Sequence, residues 1–342
     1  MCVHRSLVVV LACCAFAGLA GVSTGAAERT VVVYAALDRQ FSEPLLQEFT
    51  RATGIDVQPV FDTESTKTIG LTNRIRAEKD RPRCDVFWNN EILNTLRLRE
   101  EGLLEPCRPP NAEGYPPEFR DPDGYWYGFA ARARVLIVNT DLVPPTEIPA
   151  SIRDLANPKW RGRVGIAKPL FGTTASHVAC LFAALGAEAA EGLLGSFRSN
   201  DIRILGGNKA CAEMVGAGAL AFALTDTDDA VIEVDAGRPV RVVFPDQDER
   251  GIGALLLPNT LAVVRGAPHP REAEALIDYL LSAEVEARLA AGPSAQIPLR
   301  AAAKTKSRVG ELAAIRAMRV EFRDALREFD RAARYVEANF LD

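Results

Sequence analysis

The sequence predicts an α/β protein built as two blocks, the second nested inside the first. Three observations point there. Short apolar or β-branched runs alternate with segments of helical spacing, which argues for a mostly parallel sheet with helices on its faces. The chain has 342 residues, 48% hydrophobic and 25% charged, enough for two cores. Polar residues also gather where strands end and helices begin.

In the first block, 30–36 (TVVVYAA) reads as a buried strand. Phe41, Leu45, Leu46 and Phe49 then repeat at helical spacing, and Gly54 closes that helix. Residues 55–61 form a second strand, 66–78 a helix stopped by Pro82, and 85–88 a short strand. Ile92, Leu93 and Leu96 mark a helix ending at Gly102. A Pro- and Gly-rich loop is expected over 105–125, then two strand-like runs, WYGFAA and RVLIVN.

The second block repeats the alternation. A helix over 151–156 precedes a strand at 164–167, and Gly172-Thr173-Thr174 opens the next helix. A helix over 188–197, a strand at 202–205 and a helix over 208–215 follow. ALAFALTDTDD then gives a strand at 219–224 that ends in threonines and aspartates, with a helix over 229–235. Residues 240–244 are the last strand of the block, and 252–264 is an apolar run broken by Pro258-Asn259-Thr260. Helices fill 271–291, and the tail beyond 301 reads as mostly helical.

The N-terminus, His4-Arg5 followed by an apolar run to Val22 and a small-residue site near Ala26, reads as a secretory signal peptide. A lipoprotein-like site at Cys13 ranks lower, because the apolar run continues well past it. The expected product is therefore exported, soluble and monomeric. A net charge of −5 gives no reason to expect nucleic acid or an anionic membrane as partner. Of seven cysteines, four lie beyond the signal, and the pairs Cys84–Cys107 and Cys180–Cys211 join neighbouring elements.

Catalytic motifs are absent: no phosphate loop, no dinucleotide fingerprint, no H-E-x-x-H and no nucleophile elbow. His177 sits one turn into an apolar helix and reads as structural. The chain is accordingly read as a binding protein, with an exported α/β enzyme as the disfavoured alternative. The candidate ligand groups are the polar residues at strand ends and helix starts: Asp38; Thr63 and Ser65; Asn90 and Glu91; Thr173 and Thr174; Asn208; and Thr225, Asp226, Thr227 and Asp228. Helix starts suit anions and carboxylates suit hard cations, although each such residue alone is more often an N-cap. Arg132 and Arg134 alternate on a strand and share one face, so each needs a carboxylate or a bound anion.

The stretches VVVYAALD, EFTRATGIDV (48–57), CDVFWNNE (84–91), EEGLLEP (100–106), ARARVLIVNT (131–140), NPKWRGRVGIA (157–167) and IPLR (297–300) carry a resemblance. In order and rough spacing the chain resembles the periplasmic ferric-ion-binding proteins and related solute-binding proteins of ABC importers. The resemblance implies a two-lobed periplasmic-binding-protein fold with a hinge of crossing strands and a C-terminal helical segment. It places lobe 1 at 27–133 and 255–300, lobe 2 at 134–254 and terminal helices at 301–342, with 1–26 as the signal. The implied partners are an ABC permease and its ATPase, and the implied location is the periplasm or extracytoplasmic space.

The family's iron ligands do not carry over. The place of its histidine falls on Asp38, that of its glutamate on Asn90 with Glu91 adjacent, and that of its tyrosine pair on Thr227-Asp228. Its anion-holding positions match Thr173, Thr174 and Asn208. Two ligand classes follow. One is a metal ion such as iron held by Asp38, Glu91, Asp226 and Asp228, with a synergistic anion at Thr173-Thr174. The other is a small organic anion such as an organic phosphate. The metal reading leads, because four neighbouring carboxylates would repel one another without a cation. Sequence does not separate delivery to a permease from presentation to a sensor.

Overall fold

The alternation becomes ten strands and ten α-helices in the computed structural model, which describes residues 1, 29–62, 69–300 and 305–340. The strands are β1 (Thr30–Ala35), β2 (Asp56–Phe61), β3 (Val86–Asn89), β4 (Leu104–Glu105), β5 (Tyr127–Asn139), β6 (Val164–Ala167), β7 (Arg203–Leu205), β8 (Phe222–Asp226), β9 (Val240–Val243) and β10 (Leu256–Val264). The helices are α1 (Arg39–Thr53), α2 (Ile69–Ala77), α3 (Leu93–Glu100), α4 (Gly172–Leu185), α5 (Ala187–Ser199), α6 (Asn208–Gly216), α7 (Thr227–Asp235), α8 (Pro270–Leu280), α9 (Ala283–Ala291) and α10 (Phe322–Phe340). The expected signal segment, apart from Met1, lies outside the described residues. No described helix is long and apolar enough to cross a membrane.

Strand order is β2-β1-β3-β10-β5-β8-β6-β7, with β4 beside β10 and β9 beside β5. Parallel pairs β1–β2, β1–β3, β6–β7 and β6–β8 make the two lobes, as right-handed strand–helix–strand units require. The antiparallel β5 and β10 join them. β5 pairs with β10 from Tyr127 to Ala133, then with β8 and β9 from Arg134 onward. The two runs WYGFAA and RVLIVN are thus one continuous strand, buried along all 13 residues. They read as separate because the strand kinks between them: Ala130 adopts φ 42°, opposite a bulge at Leu257/Asn259 that accommodates Pro258.

Burial on both faces explains why these strands are near-continuous apolar runs. Alternation still sorts their side chains: Val135 and Ile137 of β5 enter one apolar cluster, Leu136 and Val138 the other. The same partition corrects the cysteine pairing. Cys84 and Cys180 lie in one cluster, whereas Cys211 lies in the other and Cys107 packs against that other. Each expected pair therefore straddles the sheet, and all four cysteines are free thiols.

Other expectations shift. β8 begins at Phe222 and runs through Thr225-Asp226 rather than stopping at 224, so α7 starts at Thr227 rather than 229. The 105–125 loop contains two short 3-10 turns, Pro110–Gly114 and Pro117–Phe119, each set by proline at its first position. Among the described residues of the tail, the α-helix is confined to α10, and the segment before it runs largely irregular along both lobes apart from a short 3-10 turn at Leu312–Ala314. There, Ala317 bridges Ala254 in parallel while Gly253 holds φ 85°, and a β-carbon on Gly253 would fall 2.6 Å from the Ala317 carbonyl.

Glu286 of α9 fixes the kink. Its buried carboxylate accepts from the Ala130 N–H (2.9 Å), the Leu299 N–H (2.8 Å) and the Arg300 N–H (3.1 Å), tying β5 to the segment that follows α9. Burial pushes this carboxyl up against the opposing pull of those N–H groups. Removing the acceptor leaves two buried N–H groups and one partly buried one without it. Glu286→Ala is expected to lower stability by about 3 kcal/mol, read from the denaturant midpoint.

Candidate ligand-binding site

The site grows from a charge problem set by β5. Arg132 and Arg134 leave the same face of the strand and are both buried, with 3% and 0% exposure. A guanidinium so enclosed requires an anionic partner. Asp226, the last residue of β8, is the register partner of Arg134. It accepts from Arg134 Nη1 at 2.7 Å and from Arg132 Nη1 at 3.2 Å. Asp228, in the first turn of α7, accepts from the same Arg132 nitrogen at 3.3 Å. Arg132 Nη2 donates to the Asn90 carbonyl, which brings lobe 1 into the cluster.

The starts of α4 and α6 close around Asp226. The Thr173 hydroxyl donates to it at 2.7 Å, and the Asn208 amide at 3.1 Å. Arg134 donates onward to Thr173 (3.2 Å), Asn208 (2.9 Å) and Thr174 (3.2 Å). The Thr225 hydroxyl donates to the Asn208 carbonyl at 2.9 Å, and Thr227 accepts from the Ala133 N–H at 3.2 Å. Sequence reasoning named each of these residues as a possible ligand group; here they hold one another in place around an ion-pair cluster.

Electrostatics fix the protonation states. Burial alone would raise the Asp226 carboxyl, but Arg134, Arg132 and the Thr173 hydrogen bond outweigh it and hold the group below the usual carboxylate range. Burial would lower Arg132, yet Asp228, Asp226, Asp229 and Asp38 together raise it. Asp38, at the end of β1, therefore lies within electrostatic reach of the cluster from lobe 1. His177 is pushed down to about 3, first by burial and then by Arg134, so it stays neutral at physiological pH.

Glu91 behaves differently from its expected place among metal ligands. It is 1% exposed and accepts from the Leu93 N–H (2.8 Å), the Asn94 N–H (2.9 Å) and the Asn89 amide (3.0 Å), capping the start of α3. It also accepts from Ser176 of α4 at 2.8 Å, a bond between the lobes. Four donors occupy its acceptor positions. The close carboxylates are instead Asp226, Asp228 and Asp229, with oxygens within 4.8 Å of one another. Thr63 and Ser65 lie outside the described residues.

A cavity of about 50 Å³ adjoins this cluster, bordered by Asn90, Arg132, Lys168, Thr173, Asn208 and Asp229 among others. It has room for a few waters or a small oxyanion. Asn90 Oδ1 is buried with no hydrogen-bond partner at its edge. Lys168 was missed as a site residue, whereas Asp229 belongs to the ALAFALTDTDD stretch whose aspartates the sequence marked as ligand groups or a helix start. Lys168 directly follows β6, the same strand-end signal that singled out Asp38.

None of the tyrosines borders this cavity. Tyr34 donates to Glu78, Tyr115 to the Leu281 carbonyl, Tyr127 to the Cys107 carbonyl and Tyr335 to the Glu191 carbonyl. Tyr125 stacks under Arg99, and Tyr279 packs on Phe49. With six tyrosines in the chain, these contacts account for all of them.

The family profile described as bacterial extracellular solute-binding protein matches residues 94–322. The chain is 30% identical over 273 residues to iron uptake protein A1 of Synechocystis sp., covering 77% of this chain and 74% of that protein. It is 25% identical over 268 residues to the major ferric iron-binding protein of Neisseria meningitidis, covering 76% and 78%. The crystal structure of iron-bound HitA from Pseudomonas aeruginosa superposes with a TM-score of 0.81 at 26% identity, covering 92% of this chain and all of that one.

The Asp226 cluster makes a pH-dependent contribution whose sign follows from its lowered pKa. That contribution is complete above the ordinary carboxylate value and is lost as pH falls through the lowered one. Asp226→Asn is expected to cost about 3 kcal/mol or more at neutral pH, because two buried arginines lose their counter-charge. It should also flatten the acid limb of a plot of Tm against pH, which differential scanning calorimetry would read.

Proposed function

The chain belongs to the bacterial extracellular solute-binding proteins, and from that premise we propose that it delivers a metal ion, ferric iron in the first instance, to an ABC permease driven by its ATPase. The observation that carries the metal reading is the charge balance of the cleft. Three carboxylates lie within 4.8 Å of one another, facing the buried guanidiniums of Arg132 and Arg134, which pair with Asp226 and Asp228, and the Lys168 ammonium at the cavity edge. Asp38 adds a further negative charge from lobe 1. A cation would relieve the excess.

Asp226 is bound to both arginines and is the most enclosed of the four, so the proposed ligands are Asp38 and Asp229, which are partly exposed, with Asp228, which would share its carboxylate between Arg132 and the metal. That set draws on both lobes, which would make binding and closure one event. The small cavity beside Lys168 and the start of α4 is the proposed seat of a synergistic oxyanion. Its volume, about 50 Å³, suits an inorganic anion better than a sugar phosphate, which disfavours the organic-phosphate reading. The similarity to an iron uptake protein and to a ferric iron-binding protein supports the same choice.

Purification without chelators, followed by metal analysis and native mass spectrometry, tests this reading. One equivalent of iron with a small anion is expected; an organic phosphate without metal would overturn it. Because all six tyrosines are engaged elsewhere, the iron-loaded protein should lack a strong visible tyrosinate-to-iron band. A red protein would mean that a tyrosine reaches the metal. Asp228→Ala should weaken iron binding about tenfold or more in a competitive citrate titration. An unchanged affinity would reduce Asp228 to a partner of Arg132.

A further inference from the structure

We infer that α10 is a strap across the two lobes, and that its contact with lobe 1 sets how readily the cleft opens. The inference rests on the two-lobed family fold and not on the identity of the ligand.

The helix is amphipathic by sequence. Ala325, Leu326, Ala332, Val336 and Phe340 are buried at helical spacing, a stripe that must face apolar surface. On the lobe-2 side that surface is α4 and α5. Tyr335 packs on Phe182 with ring centroids 6.1 Å apart, and its hydroxyl donates to the Glu191 carbonyl at 2.8 Å. Only about 10 Å³ of space remains where Phe329 and Ala332 meet Val178 and Leu170. This seam is a packed core.

The lobe-1 side is made differently. Arg97 of α3 sits over the Phe329 ring at 5.0 Å and pairs with Asp330 at 3.6 Å. At the entry to the helix, Arg323 reaches Asp121 at 3.6 Å, whose buried carboxylate also holds Arg99 of α3. Consecutive residues of α10 therefore face opposite lobes, Asp330 toward Arg97 and Arg331 toward Glu191 at 3.5 Å.

The two seams differ in strength by their chemistry. Opening the cleft separates α3 from α4, and α10 must leave one of them. The Arg97–Asp330 pair is open to solvent. The Arg323 side chain is more than half exposed, and its partner Asp121 keeps Arg99 when Arg323 leaves. These contacts and the cation–π contact are therefore each weak, whereas a buried apolar stripe is costly to expose. The helix stays with lobe 2, and the Arg97 and Arg323 contacts are the ones that break. They act on closure from the side of α4 away from the ligand, so they change affinity without touching it.

Fluorophores attached through azide-bearing residues at the exposed positions Lys79 and Arg203 would report the inter-lobe distance in ligand-free protein. Arg97→Ala is expected to raise the open-to-closed ratio roughly two- to fivefold, and Arg97→Ala with Arg323→Ala roughly tenfold. Cooperative melting should be retained. Raised salt should shift the parent protein the same way and the double variant less. The charge swap R97D/D330R should recover at least part of the closed population lost in R97D. A distance distribution unchanged in the double variant, or a swap that recovers nothing, would overturn the strap. Because no ligand is added, this outcome is independent of the iron reading.

Discussion

The ion-pair cluster of Arg132 and Arg134 with Asp226 is the constraint on which the rest of the molecule depends. It sits where β5 exchanges β10 for β8 as its neighbour, so the crossing strand, the second lobe's sheet and three helix starts meet at one pair of guanidiniums. Burial of two like charges side by side is tolerable only because Asp226 accepts from both, with Asp228 as a second acceptor for Arg132. The polar network then has few alternatives. Thr173, Thr174 and Asn208 must point inward to complete it, and that fixes α4 and α6 against β8.

This constraint separates scaffold from cargo site within one cleft. Asp226 and Glu91, both attractive as metal ligands by position, are instead the groups that hold the lobes' elements together. On the function proposed above, ligand chemistry would fall to Asp38, Asp228 and Asp229 and to the cavity beside Lys168. Strength of binding then depends on geometry between lobes, which the Ser176–Glu91 hydrogen bond and the Arg132 bond to the Asn90 carbonyl help to set.

Much of the fold was legible because periodicity and punctuation are local signals. Gly54 and Gly102 end their helices with φ of 70° and 68°, and the helix starting at Gly172 begins where the glycine and threonines indicated. The site was legible as a list but not as a set of roles. The Glu91 cap on Leu93 and Asn94 is a local contact, but the bond that ties Glu91 to Ser176 and the pairing that draws Asp226 into the strand beside Arg134 are made far along the chain, where sequence gives no sign of them. Arg132 and Arg134 were the exception: strand alternation placed them on one face, and burial of that face demanded carboxylates. Cysteine pairing failed for a related reason, since nearness along the chain says nothing about which side of a sheet each thiol enters.

The four free thiols have a consequence for biogenesis. Burial raises each of them, Cys107 and Cys211 to about 12, so the neutral thiol dominates at physiological pH. An oxidising compartment finds little to react with once the chain is folded. The hazard for these sulfurs falls instead in the interval before the cores close, when burial does not yet shield them.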